Sequence, residues 1–93
     1  MKYRKRPTEV EAFQLTSDVD FIAPDWFTQA VADEKIWIDR SIVDGHVHIY
    51  GCTIQMPEGR MHAKLGDYLI RDTDGRIYPC RSNVFKRDFE KAG

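Results

Sequence analysis

The chain has 93 residues, 42% of them hydrophobic and 31% charged, with eleven aromatics and a net charge of −1. That length is one domain, the mixture is that of a folded globule rather than a disordered chain, and the small net charge argues against a uniformly basic nucleic-acid binder. No apolar run approaches the ~20 residues of a membrane span, and no apolar stretch follows the basic start Met1–Arg6 as it would in a signal peptide, so an intracellular protein is expected.

Val10–Leu15 is the first strand candidate, and the polar stretch Thr16–Asp20 reads as a loop. Pro24 suits a first helical turn, and Asp25 favours the positive end of the helix dipole. Trp26, Phe27, Ala30 and Val31 then recur at helical spacing, which predicts a helix from about Pro24 to Glu34. From Ile36 the apolar period becomes two. Ile36–Val43 and His46–Tyr50 flank Asp44-Gly45, a strong hairpin signal, because a type I′ turn needs positive φ at both central residues. A two-residue turn pairs Val43 with His46, Ile42 with Val47, Ser41 with His48 and Arg40 with Ile49. Ile38, Ile42, Val47 and Ile49 then share one face, and His46, His48 and Tyr50 share the other with Ser41 and Trp37.

Thr53–Met56 is read as a continuation of the sheet after Gly51, and Pro57–Arg60 as a turn. Met61–Leu65 alternates, with Met61, Ala63 and Leu65 inward and His62 and Lys64 outward. Asp67–Asp72 and Arg76–Cys80 flank Thr73-Asp74-Gly75, a second hairpin. A two-residue Asp74-Gly75 turn would set Arg71 opposite Tyr78, Ile70 opposite Pro79 and Leu69 opposite Cys80. Pro79 cannot donate to a ladder, so its strand lies at an edge. Ser82 is placed to cap a last helix, Asn83–Lys91, with Val84, Phe85 and Phe89 as its apolar stripe. The expected fold is α+β, a single domain over residues 1–93. It has an antiparallel meander, one helix before it and a short helix at the C-terminus.

Charge is unevenly spread: residues 16–44 carry a net −5 and residues 60–93 a net +3. Cys52 and Cys80 match no zinc or redox spacing. His46 and His48 point the same way on one strand, with His62 on another, but a metal site needs a third or fourth ligand that the pattern does not supply. A pairing of Cys52 or Cys80 with His62 lacks both a helix N-terminus to lower a thiol pKa and any oxyanion device. No metal, cofactor or catalytic turnover is therefore expected. The best ligand or partner surface is the outward face of the second hairpin, Arg71, Arg76 and Tyr78, joined by His62 and Lys64. It would make a basic, partly aromatic patch suited to phosphate or an acidic protein surface. The first hairpin is apolar on both faces, with Trp37, Val43 and Tyr50 opposite Ile38 and Ile42. A domain this small has one core to cover them, so a homodimer is expected.

Two stretches carry a family pattern. Met1-Lys2-Tyr3-Arg4-Lys5-Arg6-Pro7 with Glu11-Ala12-Phe13-Gln14-Leu15 and Pro24-Asp25-Trp26-Phe27 form one. Gly66-Asp67-Tyr68-Leu69-Ile70-Arg71, then Asp74-Gly75-Arg76-Ile77-Tyr78-Pro79-Cys80, Val84-Phe85 and Phe89-Glu90 form the other. Together they resemble small accessory proteins encoded by tailed bacteriophages and prophages. The likeness covers both ends of the chain and leaves out about Arg40 to Met56. Where that family commonly has Lys-Pro-Asp after Tyr-Pro-Cys, this chain has Arg81-Ser82-Asn83, without the proline. The resemblance implies a phage protein made in the host cytoplasm, and it carries over no catalytic residue. It implies no activity of its own; small phage accessory proteins often act by binding, so the expected function is that of a non-enzymatic binding protein, for counter-defence, which binds a host protein or sequesters a nucleotide signal. The alternative it leaves is a nucleic-acid-associated accessory protein.

Overall fold

The computed structural model describes residues 9–90; the basic residues of the N-terminus and Lys91 lie outside them. The elements are β1 (Glu11–Gln14), α1 (Val19–Ile22), α2 (Asp25–Ala32), β2 (Ile36–Val43), β3 (His46–Met56), β4 (Gly59–Lys64), β5 (Tyr68–Arg71), β6 (Ile77–Cys80) and α3 (Ser82–Asp88). This is an α+β fold, as the patterning implied. The strands divide into two antiparallel three-stranded sheets, β2-β3-β4 and β1-β5-β6, rather than forming one continuous meander. The division falls at the Leu65–Asp67 corner, where Gly66 takes φ +96°. There the Leu15 N–H donates to the Asp67 carbonyl and the Gly66 N–H donates to the Leu15 carbonyl, both at 2.8 Å. The end of β1 is thereby clamped to the start of β5.

The first hairpin has the expected turn: Asp44 and Gly45 sit at φ +52° and +77°. Its register runs as the pattern required, from Val43–His46 to Arg40–Ile49, and then slips so that Asp39 pairs with Gly51. Tyr50 is the extra residue of a β-bulge. Strand alternation alone would have turned Cys52 and Ile54 away from the face of Val47 and Ile49. The bulge absorbs one residue, so Cys52, Ile54 and Met56 continue on that face, opposite Ile38 and Ile36. For the same reason Thr53–Met56 is not a separate strand but the second half of the 11-residue β3.

The core draws on both sheets and α2. Leu15, Val19, Phe27, Ile36, Cys52, Ile54 and Leu69 are all at most 1% exposed. Phe13 joins them through edge-on contacts with Trp26 and Phe27, at centroid distances of 5.6 and 5.0 Å. α2 is shorter than the pattern suggested: Pro24 is its N-cap, and it stops at Ala32, because Glu34 takes φ +59°. The Thr16–Asp20 segment is not all loop. Val19 is drawn into the core, and the Asp18 carbonyl accepts from the Phe21 and Ile22 N–H groups, which closes the single turn α1. Ala63 is inward as expected, but Met61 and Leu65 stay 47% and 42% exposed: β4 is an edge strand, Met61 opens on the cavity beside β6, and Leu65 falls just beyond the last residue of β4.

The second hairpin corrects the expected register by one residue: Arg71 pairs with Ile77, Ile70 with Tyr78, Leu69 with Pro79 and Tyr68 with Cys80. Only Gly75, at φ +86°, is left-handed. The Gly75 N–H donates to the Asp72 carbonyl at 2.9 Å, and the Asp72 N–H to the Arg76 carbonyl at 2.8 Å. This is a turn followed by a left-handed glycine, closing a three-residue loop instead of a two-residue one. β6 is an edge strand, which accommodates Pro79. In α3 the N-cap is Arg81 with no side-chain cap, and Ser82 lies inside the helix. Phe85 lies flat on Tyr68 at 3.9 Å between centroids, with Phe89 stacked 5.0 Å beyond, which docks the helix on the second sheet.

Candidate functional site

The residues expected to form one patch fall into three places. Arg71 stands opposite Glu11 on the β1–β5 rung and donates to its carboxylate at 3.2 Å. Arg76 donates to the Glu58 carboxylate. Tyr78 is half-buried beside it, where burial first and the nearby Asp72 second push its phenol above the ordinary range. With Met56, Met61 and Pro79 these two residues line a cavity of about 570 Å³ between β6 and the β3–β4 turn. Arg71 and Tyr78 are thus not cross-strand neighbours: the one-residue difference in register puts them on opposite faces of the sheet.

His62 and Lys64 point outward, as alternation requires, and line a different concavity of about 640 Å³. Its other wall is the start of α3, which contributes Arg81, Asn83 and Lys86; Asp67 closes the corner. One Asp67 oxygen already accepts the Lys64 backbone N–H at 3.0 Å. Against that single acid stand three exposed cations. Arg40, Arg71, Arg76 and Arg87 each have a carboxylate partner, and Arg60 lies 5.2 Å over the Trp37 ring. Among the described residues no carboxylate pairs with Lys64, Arg81 or Lys86. Arg81 and Lys86 are functional candidates that the sequence reading passed over.

The orientation of His62 is set from beneath. Thr53, 8% exposed, faces His62 across the β3–β4 ladder and Trp37 across the β2–β3 ladder. Its hydroxyl donates to the Asp39 carboxylate, at 2.9 and 3.2 Å to the two oxygens, and lies 3.0 Å from His62 Nδ1. A hydroxyl has one proton, and here it goes to Asp39, so the Thr53 oxygen accepts from His62 Nδ1–H. This bonding assigns the tautomer and leaves Nε2 as the free polar atom of the ring. The order of the three groups is not that of a nucleophilic triad, because the hydroxyl, not the imidazole, stands in the middle.

Cys52 is fully buried, and its thiol is pushed up to about 12, by burial first and by Asp39 and Asp67 after it. It also lies across from Ala63, on the face of the sheet opposite His62, so the two do not pair. Cys80 is half-buried, and its thiol is raised by burial before any charge. His46 and His48 are exposed on the first hairpin, and among the described residues no three His, Cys, Asp or Glu side chains are gathered as a metal site would need. No described helix is long and apolar enough to cross a membrane. No protein-family model, curated protein or solved structure matches this chain, so the site rests on its own geometry.

Proposed function

We propose that the chain is a non-enzymatic binding protein whose site is the basic groove between β4 and α3, and that it takes a small phosphate-bearing ligand. The observation that carries this reading is a concavity with three cations, Lys64, Arg81 and Lys86, that have no acid partner among the described residues. A volume of about 640 Å³ lies within the range of small-molecule sites. Arg81 offers a planar fork of donors and the lysines offer point charges, the combination that suits phosphate oxygens. His62 Nε2 and the Asn83 amide add polar contacts at the rim. The resemblance to phage accessory proteins supports the setting: a protein of the host cytoplasm that acts in counter-defence by sequestering a nucleotide signal.

The test is thermal stabilisation and calorimetric titration with ADP-ribose, a cyclic dinucleotide and inorganic phosphate, without and with added salt. Saturable binding that weakens with salt, is abolished by Lys64→Ala with Lys86→Ala and is retained in Arg71→Ala is the expected result. Failure of all three probes to bind, or binding indifferent to the groove variants, overturns it. Tight binding of an oligonucleotide in place of these probes would move the protein to the nucleic-acid class. Capture of an acidic host protein that the groove variants abolish would make that protein the occupant.

A further inference from the structure

The hairpin formed by the end of β2 and the start of β3 is not part of the globule. Every residue from Arg40 to His48 is exposed. β2 is the outer strand of its sheet, so among the described residues no strand lies along its free edge. Such edges are ordinarily blunted by charged side chains, proline or a covering element. Arg40-Ser41-Ile42-Val43 has no proline, and its one charge, Arg40, is turned to the Asp20 carboxylate.

We infer that this edge is a self-association surface, on which β2 pairs antiparallel with β2 of a second copy about a two-fold axis at Ser41. The register follows from the turn. In a two-residue hairpin Val43 and His46 exchange both backbone hydrogen bonds, so Val43 and Ser41 bond inward to β3, while Arg40 and Ile42 direct N–H and C=O outward. An axis at Ser41 sets Ile42 opposite Arg40 of the second copy, and Arg40 opposite its Ile42, which satisfies all the outward groups of both residues. An axis at Arg40 would put like charges face to face. An axis at Ile42 would require Asp44 to be extended, and Asp44 is left-handed at φ +52°.

Apolar side chains flank this edge on both faces. Ile42, Val43, Val47 and Tyr50 on the hairpin, with Phe21 and Ile22 on α1, are each between 49% and 90% exposed. α1 is held at the root of the hairpin by two 3.0 Å hydrogen bonds from Arg40 to the Asp20 carboxylate. Ile42 and Val47 lie on one face of the hairpin and Val43 on the other, so a strand added at this edge extends both faces and sets Ile42 beside the incoming strand. The occupant is a second copy because the exposed edge is complementary to itself in one allowed register, in which every outward backbone group of Arg40 and Ile42 finds a partner.

Sedimentation equilibrium across the micromolar range should give a dimer for the wild type. Ile42→Pro should give a monomer: it removes an outward N–H that β3 does not use, so the circular dichroism spectrum should be unchanged. A second measurement fixes the register. Ser41 and its symmetry mate form a non-hydrogen-bonded pair with Cα atoms about 4.5 Å apart, within disulfide reach. In a Cys80→Ser background, Ser41→Cys should therefore cross-link on mild oxidation, whether or not the proline variant folds. A monomeric wild type overturns the inference, as does a dimer that survives Ile42→Pro or fails to cross-link through residue 41.

Discussion

Gly51 is the position where the two ladders of the first sheet leave no space for a side chain. It is buried between Asp39 and Lys64, directly after the bulge at Tyr50. A Cβ at this residue would lie 2.2 Å from the Ala63 carbonyl oxygen and 3.4 Å from its carbon. Both are backbone atoms of the neighbouring strand, so no rotamer change relieves the contact, and β4 must move away by about 1 Å. Overpacking in a core costs about 1–3 kcal/mol, and a contact with backbone belongs at the top of that range. At roughly 4–8 °C of Tm per kcal/mol for a domain of this size, Gly51→Ala should melt some 12–24 °C below the wild type. Gly45 is the control. At φ +77° nothing lies within 4 Å of its Cβ position, so an alanine there meets conformational strain and no clash. Asparagine tolerates the left-handed region. Gly45→Asn should therefore be nearly neutral, whereas Gly51→Asn should be as damaging as Gly51→Ala. Thermal melts and urea midpoints of the four variants decide the matter, and a Gly51→Ala protein that melts within a few degrees of the wild type refutes the close-approach argument.

Thr53→Val keeps the shape of the side chain but leaves the Asp39 carboxylate and His62 Nδ1–H without their shared partner. A loss of about 1–3 kcal/mol in urea denaturation is expected, and Thr53→Ser should recover most of it. In the folded protein a thiol reagent should label Cys80 and spare Cys52, which should react only on unfolding; mass spectrometry of the labelled peptides checks the order. Because the Cys52 thiol is raised in the folded state, its protonated form contributes stability below the ordinary value of 9.0 that is lost as pH rises toward about 12. Urea midpoints should fall through that window, and less steeply in Cys52→Ala. The Asp20 carboxyl is held below its ordinary value, first by the hydrogen bond from Arg40. Its contribution is present above 3.8 and disappears as the pH falls through the lower folded value. The pair is exposed, so Asp20→Asn should cost under about 1 kcal/mol at neutral pH, with the difference from wild type vanishing in acid.

The first hairpin was legible because its determinants are local. Asp44-Gly45 dictates the turn, the turn dictates the register, and period two dictates the faces. The bulge was also written there, in the shift of apolar residues from odd positions at Val47 and Ile49 to even positions at Cys52, Ile54 and Met56. A strand that keeps one face in the core can change parity only by absorbing a residue. The second hairpin carries the same Asp-Gly dipeptide but a different turn. Leu69 and Ile70 are both fully buried, on opposite faces of the middle strand of their sheet. Alternation therefore says nothing about register in this strand, and the dipeptide alone does not fix a loop length.

The site divides along the same line between local and non-local causes. His62 and Lys64 were readable as outward-facing residues because parity on a single strand decides it. Arg81 and Lys86 were not, because they reach the groove only when Phe85 stacks on Tyr68 and carries α3 up beside β4. Their charge was visible in the net +3 of residues 60–93, but its destination was not. The same contrast explains why the groove has cations to spare. Arg71 acquires Glu11 because the β1–β5 register sets the two on one rung, although 60 positions separate them in the chain. A ladder delivers each charged residue to a fixed opposite number, and an acid at that place neutralises it. β4 and α3 are not joined by a ladder: they meet through an aromatic stack one strand away. No rung places a carboxylate opposite Lys64, Arg81 or Lys86, and Asp67, the one acid at the corner, already accepts the Lys64 N–H. The groove's positive field is therefore a consequence of how the two elements meet. A ligand that supplies the missing negative charge gains charge-assisted hydrogen bonds without first breaking an internal ion pair, whereas at Arg71 or Arg76 it would have to displace Glu11 or Glu58.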